Sequence, residues 1–192
     1  TQSRSSAASD VYKRQGIDNV AVGGYALDAN TTASDNTAVG YASLTANSTG
    51  ANNVAVGRGA LQVNTTGASN VAVGYAALDA NTTASYNTAV GENALSANTT
   101  GEVNDAFGYY ALNANTTGTY NVAVGSRALM ANTTASYNTA VGRDALKVST
   151  TAQRNTAVGY QALTAATTGS DNVTMGYLAG TAVTTGIENT LI

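Results

Sequence analysis

The chain has 192 residues, of which 43% are hydrophobic and only 10% charged, and its net charge is −3 at pH 7. This balance argues against a disordered chain, and it offers neither a basic stripe for nucleic acid nor a cationic face for a membrane. The sequence contains no Cys and no His, which excludes disulfides, thiol chemistry, imidazole metal ligands and histidine general bases.

Residues 1–18 differ from everything that follows. Their first part, TQSRSSAASDVYKRQ, shares nothing with the rest of the chain and resembles translated adapter sequence at the ends of some environmental assemblies. We therefore expect an artefactual segment outside the fold, with a genuine capping segment as the alternative.

From residue 19 to residue 192 the chain is a 17-residue repeat without insertions, with ten full units and a partial eleventh. Its consensus is N-[VT]-A-V-G-x-x-A-L-x-A-N-T-T-[GA]-x-x, and we number these positions 1 to 17. A unit this short cannot bury its own apolar face, so the copies must stack as one solenoid domain. Position 1 predicts a ladder of side-chain amides: Asn19, Asn36, Asn53, Asn70, Asn87, Asn104, Asn121, Asn138, Asn155, Asn172 and Asn189.

Positions 2 to 5 predict one short parallel strand that ends at a glycine. The triplet [VT]-A-V favours a strand, and positions 2 and 4 share one of its faces. Because position 4 is apolar in every full unit, we expect that face to point into the core. The invariant Gly of position 5 indicates positive φ or a backbone too crowded for a Cβ atom.

Positions 6 to 11, such as Tyr75 to Ala80, hold good helix formers. We expect a short helical turn with positions 8, 9 and 11 turned inward, and the alternative is an all-β rung. Packed helices need roughly 8–10 Å whereas strands stack at about 4.8 Å, so a strand-plus-helix solenoid must curve. An all-β solenoid of ten units would be a straight rod about 48 Å long.

Positions 12 to 15, N-T-T-[GA], predict a return loop in which the Thr rows satisfy backbone groups or form hydroxyl ladders. Seven of the position-12 Asn lie in N-x-[ST] sequons, which would mark an outer face if they are glycosylated. The plainer interpretation is ordinary loop chemistry. Adjacent Thr positions point opposite ways in an extended chain, so only one Thr row could face ice.

Ten of the eleven Tyr fall in positions 6, 7 and 17, which we expect to be exposed. Tyr is enriched at protein interfaces, although these rings could instead lie flat on their own solenoid. The last strand is uncapped, and an open strand edge templates pairing with another chain. We therefore predict head-to-tail and lateral self-assembly through these residues: Tyr41, Tyr75, Tyr86, Tyr109, Tyr110, Tyr120, Tyr137, Tyr160, Tyr177, Thr190, Leu191 and Ile192.

No catalytic site is predicted. The acidic residues are scattered over many repeat positions, so no repeated Ca²⁺ site of the nonapeptide type is formed. Gly57-Arg58-Gly59 is an isolated G-x-G without the third Gly of a nucleotide-binding motif. We expect no catalytic residues, no cofactor and no metal, and hence no enzyme.

The N-T-A-V-G-x-x-A-L units of residues 19–192 resemble the head repeats of trimeric autotransporter adhesins. They also resemble environmental arrays of the form N-T-A-V-G-x-x-A-L-x-x-N-T-T-G, and are similar to short linear repeat proteins that assemble extracellular tubes. Autotransporter heads use a shorter unit, so their trimeric arrangement is not carried over. The resemblance implies an extracellular or cell-surface structural protein whose partner is itself. The alternatives are an adhesin or phage tail-fibre shaft that binds a surface glycan, and an ice-binding solenoid.

Overall fold

Each unit of the repeat forms one short parallel strand. The computed structural model describes residues 16–192, so residues 1–15 of the non-repeat segment lie outside the described residues. The strands are β1 (Val20–Val22), β2 (Thr37–Val39), β3 (Val54–Val56), β4 (Val71–Val73), β5 (Thr88–Val90), β6 (Asp105–Phe107), β7 (Val122–Val124), β8 (Thr139–Val141), β9 (Thr156–Val158), β10 (Val173–Met175) and β11 (Thr190–Leu191).

The strands pair in chain order in one 11-stranded parallel sheet. Residues 17 apart are partners, as in Val71 with Thr88 and Ala72 with Ala89, so each unit is one turn of a solenoid. We call these turns rungs and number them from rung 1, which begins at Asn19, to rung 10, which begins at Asn172. The predicted solenoid with one strand per unit is confirmed.

The helical turn at positions 6 to 11 is not present, and among residues 16–192 there is no helix. The segment contains two tight turns instead, closed in rung 5 by Ala94 N–H to Gly91 O at 3.2 Å and Asn98 N–H to Leu95 O at 3.2 Å. Leu95 has a φ of 54°, and its N–H donates to Ala111 O of the next rung at 2.9 Å. The left-handed backbone and the inter-rung bonds exclude a helix, so the all-β alternative fits.

The strand triplet faces the opposite way from the prediction. Ala89, at position 3, is completely buried, whereas Thr88 and Val90 on either side are only half-buried. The interior is narrow because Ala94 and Leu95 cross it from the turn side and are fully buried. A small side chain therefore points inward, and the two β-branched ones point outward. Positions 8 and 9 are buried as predicted, but the Ala of position 11 is half-buried.

The position-5 glycine satisfies both conditions that the sequence suggested. Gly91 has a φ of +135°, and a Cβ atom there would lie 2.5 Å from the carbonyl oxygen of Gly108 on the next rung. An L-residue would be strained in that conformation. The close approach of successive carbonyls at this turn sets how tightly the rungs stack.

The solenoid includes a few residues before Asn19. Asp35 N–H donates to Ile17 O at 3.1 Å, and Ile17 N–H donates to Ser34 Oγ at 3.0 Å. Gly16, Ile17 and Asp18 thus occupy positions 15 to 17 of a preceding partial rung. Within the described part of the chain, no helix could span a membrane.

Candidate assembly surfaces

The Asn of position 1 forms a continuous ladder inside the solenoid. In rung 4, the backbone N–H of Asn70 donates to Asn53 Oδ1 at 3.0 Å, and Asn70 Nδ2 donates to the same oxygen at 3.2 Å. Asn70 Nδ2 also donates to Ala84 O at 2.9 Å. The backbone bond to the preceding Asn recurs at every step from Asn36 to Asn189. These side chains hold the rungs in register from within.

A second buried ladder, which the sequence interpretation missed, runs through position 12. Asn81 Nδ2 donates to Asn64 Oδ1 at 2.9 Å and to Ala84 O at 3.0 Å. Asn64 and Asn81 are fully buried. The signal was present in the sequence, because position 12 is Asn in rungs 1 to 7. The outer-face interpretation of the sequons is therefore wrong, since these Asn point into the core where no glycan could be attached.

The second ladder stops at rung 7. Rung 8 has Ser149 at position 12, and rung 9 has Ala166. Asn132 Oδ1 and Ser149 Oγ are both buried without a hydrogen-bond partner. From Asn47 to Asn115 the next Asn supplies this donor, so the ladder ends at Asn132 on an unsatisfied acceptor.

The two Thr rows differ in exposure. The position-13 hydroxyls form a ladder, as in Thr65 Oγ1 to Thr82 O at 2.9 Å and Thr99 Oγ1 to Thr116 O at 3.1 Å. The position-14 Thr is exposed in all ten rungs. One row of hydroxyls thus faces solvent on the loop side of the solenoid.

The outward face of the sheet carries positions 2 and 4. It consists of Val and Thr with few exceptions, and Val124 and Val141 are 38% and 36% exposed. Asp105 and Phe107 interrupt the pattern in the central strand β6. A carboxylate in the middle of this face opposes its burial against another apolar surface.

Positions 6, 7 and 10 form a further face of the solenoid, which we call the turn face. A shallow hollow of about 150 Å³ lies on this face. It is lined by Tyr41, Arg58 and Tyr75 of position 6, by residues of position 7 and by Asp79 of position 10, so these positions adjoin one another. Burial raises the pKa of the Asp79 carboxyl, against backbone hydrogen bonds that lower it.

Most of the predicted assembly tyrosines are exposed. On the turn face Tyr110 is half-buried, whereas its neighbour Tyr109 is exposed and lies 4.5 Å from it between ring centroids. The exposed rings are Tyr25, Tyr41, Tyr75, Tyr109, Tyr160 and Tyr177 on the turn face, and Tyr86, Tyr120 and Tyr137 at position 17.

These rings also contact side chains on neighbouring rungs. Tyr160 and Tyr177 stack with centroids 5.4 Å apart, and Tyr120 and Tyr137 with centroids 5.2 Å apart. Arg58 lies between two rings in the same column, 5.8 Å from that of Tyr41 and 5.9 Å from that of Tyr75. The rings in these contacts use one face or edge for their own chain and leave the remainder in solvent.

A basic cluster on the turn face was also missed. Asp144 is buried, and its Oδ2 accepts a hydrogen bond from Arg127 Nη2 at 2.8 Å, while Arg127 Nε lies 2.8 Å from Asp144 Oδ1. Arg143 Nε lies 3.4 Å from Asp144 Oδ2, and Lys147 Nζ lies 3.9 Å from Asp144 Oδ1. The Asp144 carboxylate raises the pKa of the Arg127 guanidinium through this hydrogen bond. The 17-residue spacing of Arg127 and Asp144 would have shown that they stack.

A second ion pair joins rungs 8 and 9 at position 17. Arg154 donates to Asp171 through Nε at 2.6 Å and Nη2 at 2.8 Å. The hydrogen bond to Arg154 lowers the pKa of the Asp171 carboxyl.

Among residues 16–192, no three acidic side chains lie close enough together to hold a metal ion.

The predicted terminal contact residues lie on β11, an edge strand of the described sheet. Leu191 is half-buried and Ile192 is 97% exposed. Thr190 occupies position 2, whose N–H in every preceding rung donates to the next one, as in Val173 N–H to Asn189 O at 2.8 Å. The Thr190 N–H therefore faces outward along the solenoid axis.

Eleven parallel strands on a 17-residue period, with asparagine ladders inside, define this chain as a parallel β-solenoid. Comparison with protein-family models, with curated proteins and with solved structures finds no match. The resemblance of the repeat to autotransporter heads and tube-forming proteins therefore stays a prediction.

Proposed function

We propose that this chain is a structural protein, the subunit of an extracellular or cell-surface filament or tube that forms by end-to-end and lateral association. One observation carries the proposal: the two sides of every rung are complementary to each other. In rung 4, Val71 N–H donates forward to Asn87 O at 2.8 Å, while Gly74 N–H donates backward to Val56 O at 2.8 Å.

The same division recurs along the chain. Positions 2, 9, 11 and 13 donate to the following rung, and positions 5, 7 and 17 donate to the preceding one. A rung of one copy can therefore pair with a rung of another copy through the bonds that hold each copy together. Such a heterologous contact leaves a free end each time it forms, so it propagates into a ring or filament.

The location outside the cell rests on the resemblance of the repeat alone. The lateral part of the proposal rests on the exposed tyrosines, because rows of exposed aromatic rings favour contacts between chains. The sheet face supports lateral packing less well, since Asp105 lies at its centre.

The test is electron microscopy and sedimentation of the full chain at rising concentration. We expect uniform filaments or tubes that lengthen as the concentration increases. Thr190→Pro removes the outward N–H of β11 and should shorten the filaments. Thr190→Val, which places there the residue found at position 2 of other rungs, should leave them unchanged. Monodisperse rods at every concentration would contradict the proposal.

The adhesin or tail-fibre shaft is the second candidate, since a stack of eleven strands at about 4.8 Å per step also makes a straight spacer of about 48 Å. Rods that stay monomeric but bind a cell-surface glycan would favour it.

The ice-binding alternative receives less support, because the outward positions of the strand mix Val with Thr and the full Thr row lies on the loop. Thermal hysteresis would be its test.

A further inference from the structure

We infer that the turn face docks onto the turn face of a second copy of this chain, with the two solenoids antiparallel and related by a two-fold axis through rung 6. This names the lateral contact of the proposed assembly and in that sense rests on it. A discrete pair of copies would nevertheless form without any growth along the solenoid axis.

The first argument is the charge distribution along the turn face. Rungs 4 and 5 carry Asp79 and Glu92, a charge of −2. Rungs 7 and 8 carry Arg127, Arg143 and Lys147 against the single carboxylate of Asp144, so their charge is +3 − 1 = +2. Rung 6 lies between these two regions and is uncharged on this face. From rung 4 to rung 8 the turn face is therefore acidic on one side of rung 6 and basic on the other, and Arg58 of rung 3 lies beyond the acidic region.

The second argument is that a two-fold axis through rung 6 pairs these regions position by position. An in-plane axis perpendicular to the solenoid places rung 4 opposite rung 8 and rung 5 opposite rung 7, and keeps each repeat position opposite itself. Asp79 and Lys147 both occupy position 10, so they face each other. Glu92, at position 6 of rung 5, faces the position 6–7 corner of rung 7, where Arg127 lies.

The aromatic residues follow the same symmetry. Position 6 places Tyr75 of rung 4 opposite Arg143 of rung 8, and Arg58 of rung 3 opposite Tyr160 of rung 9. Guanidinium–tyrosine contacts of this kind already exist within the chain, where Arg143 lies 5.9 Å from the Tyr160 ring. Tyr109 lies on the axis and meets its own copy.

The parallel arrangement is disfavoured by the same charges. An axis along the solenoid would place each rung opposite itself, so Asp79 and Glu92 would face the same acidic rungs of the partner. Arg143 and Lys147 would likewise face the partner's basic rungs. Juxtaposed like charges oppose association, so the charge pattern selects the antiparallel pair.

The surface is large enough for a specific but weak contact. Tyr41, Tyr75 and Tyr109 are 53%, 52% and 50% exposed, and Tyr160 and Tyr177 are exposed as well. An aromatic side chain buries roughly 150–250 Å², so five half-exposed rings offer about 400–600 Å² per copy. The two copies together reach about 800–1,200 Å² before any polar contact is added, the lower range for specific interfaces.

The test is sedimentation equilibrium of the full chain with a charge swap. Asp79→Lys and Lys147→Asp each place two like-charged pairs in a dimer of that variant, so each alone should dimerise at least about tenfold more weakly. In an equimolar mixture, the heterodimer contains one native pair and one reversed pair, both of opposite charge. Mixing should therefore restore dimerisation to about the level of the parent chain.

Tyr109→Ser provides an independent variant, because its ring lies on the proposed axis and is 50% exposed. We expect it to weaken dimerisation about tenfold, whereas Tyr86→Ser at position 17, outside the turn face, should have no effect. Circular dichroism checks that every variant remains folded.

Two results would overturn the inference: failure of the mixed charge variants to recover, or a parent chain that stays monomeric. If the mixed charge variants do not recover but electron microscopy still shows filaments, the proposed function stands and only this contact is wrong. A parent chain that stays monomeric in both experiments contradicts the two proposals together.

Discussion

Asn53 and Asn64 lie eleven residues apart on the same rung, and their side-chain amides donate to one carbonyl oxygen. Asn53 Nδ2 and Asn64 Nδ2 each lie 2.9 Å from Gly67 O. The shared acceptor ties the start of the strand and the end of the second turn to the return loop. Because each Asn also bonds its counterpart on the neighbouring rung, the two ladders close each rung and join it to the next. The two ladders therefore add to the stability that a small apolar core of Ala and Leu provides.

The interruption of the second ladder at Ser149 gives a stabilising prediction. Ser149→Asn would supply an Nδ2 donor to the buried Asn132 Oδ1, which has no partner, and to the carbonyl of Ala152. We expect a gain of about 1 kcal/mol, the net contribution of an added hydrogen bond, although the unsatisfied acceptor moves one rung along.

Urea unfolding measures this gain in the free energy of unfolding, with hydrogen exchange of the backbone amides in rungs 7 to 9 as the local readout. Ser149→Ala is the control, and it should be nearly neutral because the hydroxyl that it removes has no partner. A Ser149→Asn chain less stable than the alanine variant would contradict the ladder explanation.

The position-5 glycine should tolerate no side chain. Gly91→Ala would place a methyl group 2.5 Å from Gly108 O in a backbone with φ of +135°. We expect a loss of about 3 kcal/mol, from strain and clash together. Thermal unfolding of the purified variants measures it.

Gly24→Ala is the matched control for that substitution. Its added methyl would meet nothing closer than Tyr41 Cδ2, at 3.5 Å. It should therefore unfold like the parent chain. Equal losses for the two variants would show that backbone conformation and rung spacing do not explain the glycine.

Val103 is a strained residue whose replacement should stabilise the chain. It lies at position 17 with a φ of 56°, a conformation that β-branched residues strongly disfavour and Asn tolerates. Asn52 occupies the same position on rung 2 with a φ of 60°. Val103→Asn should therefore raise the free energy of unfolding by about 1 kcal/mol.

Val124→Asn is the control for Val103, since both side chains are 38% exposed but Val124 lies in a strand. It should give no gain, because Asn is disfavoured in strands. A similar change for both variants would indicate that side-chain polarity, rather than backbone strain, decides the stability.

The Arg154–Asp171 pair predicts a measurable titration shift. The hydrogen bond lowers the pKa of Asp171 in the folded chain. Its contribution to stability is therefore present above the unfolded pKa, about 3.9, and is lost as the pH falls through the lower folded value. Arg154→Gln should return the Asp171 pKa towards its ordinary range.

Carboxyl-detected NMR titration measures that pKa directly. Arg154→Lys keeps the charge but loses the two-pronged geometry, so it should give an intermediate value. An Asp171 pKa that is the same in all three chains would show that the pair does not form in solution.

The sequence alone was sufficient to predict a solenoid with one parallel strand per unit. A 17-residue period without insertions requires each unit to stack on the next, and the invariant Asn of position 1 then has to meet its counterpart. Gly91 shows the same logic, since a residue that never varies in an array marks a backbone condition that every rung shares.

Three points were decided only by the tertiary structure. A triplet such as Thr88-Ala89-Val90 is too short for its alternation to define a buried face, and Ala pointed inward only because Leu95 crosses the same narrow interior. The helix-forming residues of positions 6 to 11 made turns, because the N–H groups of positions 7, 9 and 11 found acceptors on neighbouring rungs, which lie about 4.8 Å away. A helix cannot stack at that spacing.

The third point is the charge pattern of the turn face. Asp79 and Lys147 are 68 residues apart in the chain, and only the solenoid places them on one surface at equal distances from rung 6. The period relates each unit to the next, so the sequence determined that the rungs stack and in which register. Side-chain volume and inter-rung hydrogen bonds act between units, so only the stacked structure decided which side chains face inward and which surface is left for a partner.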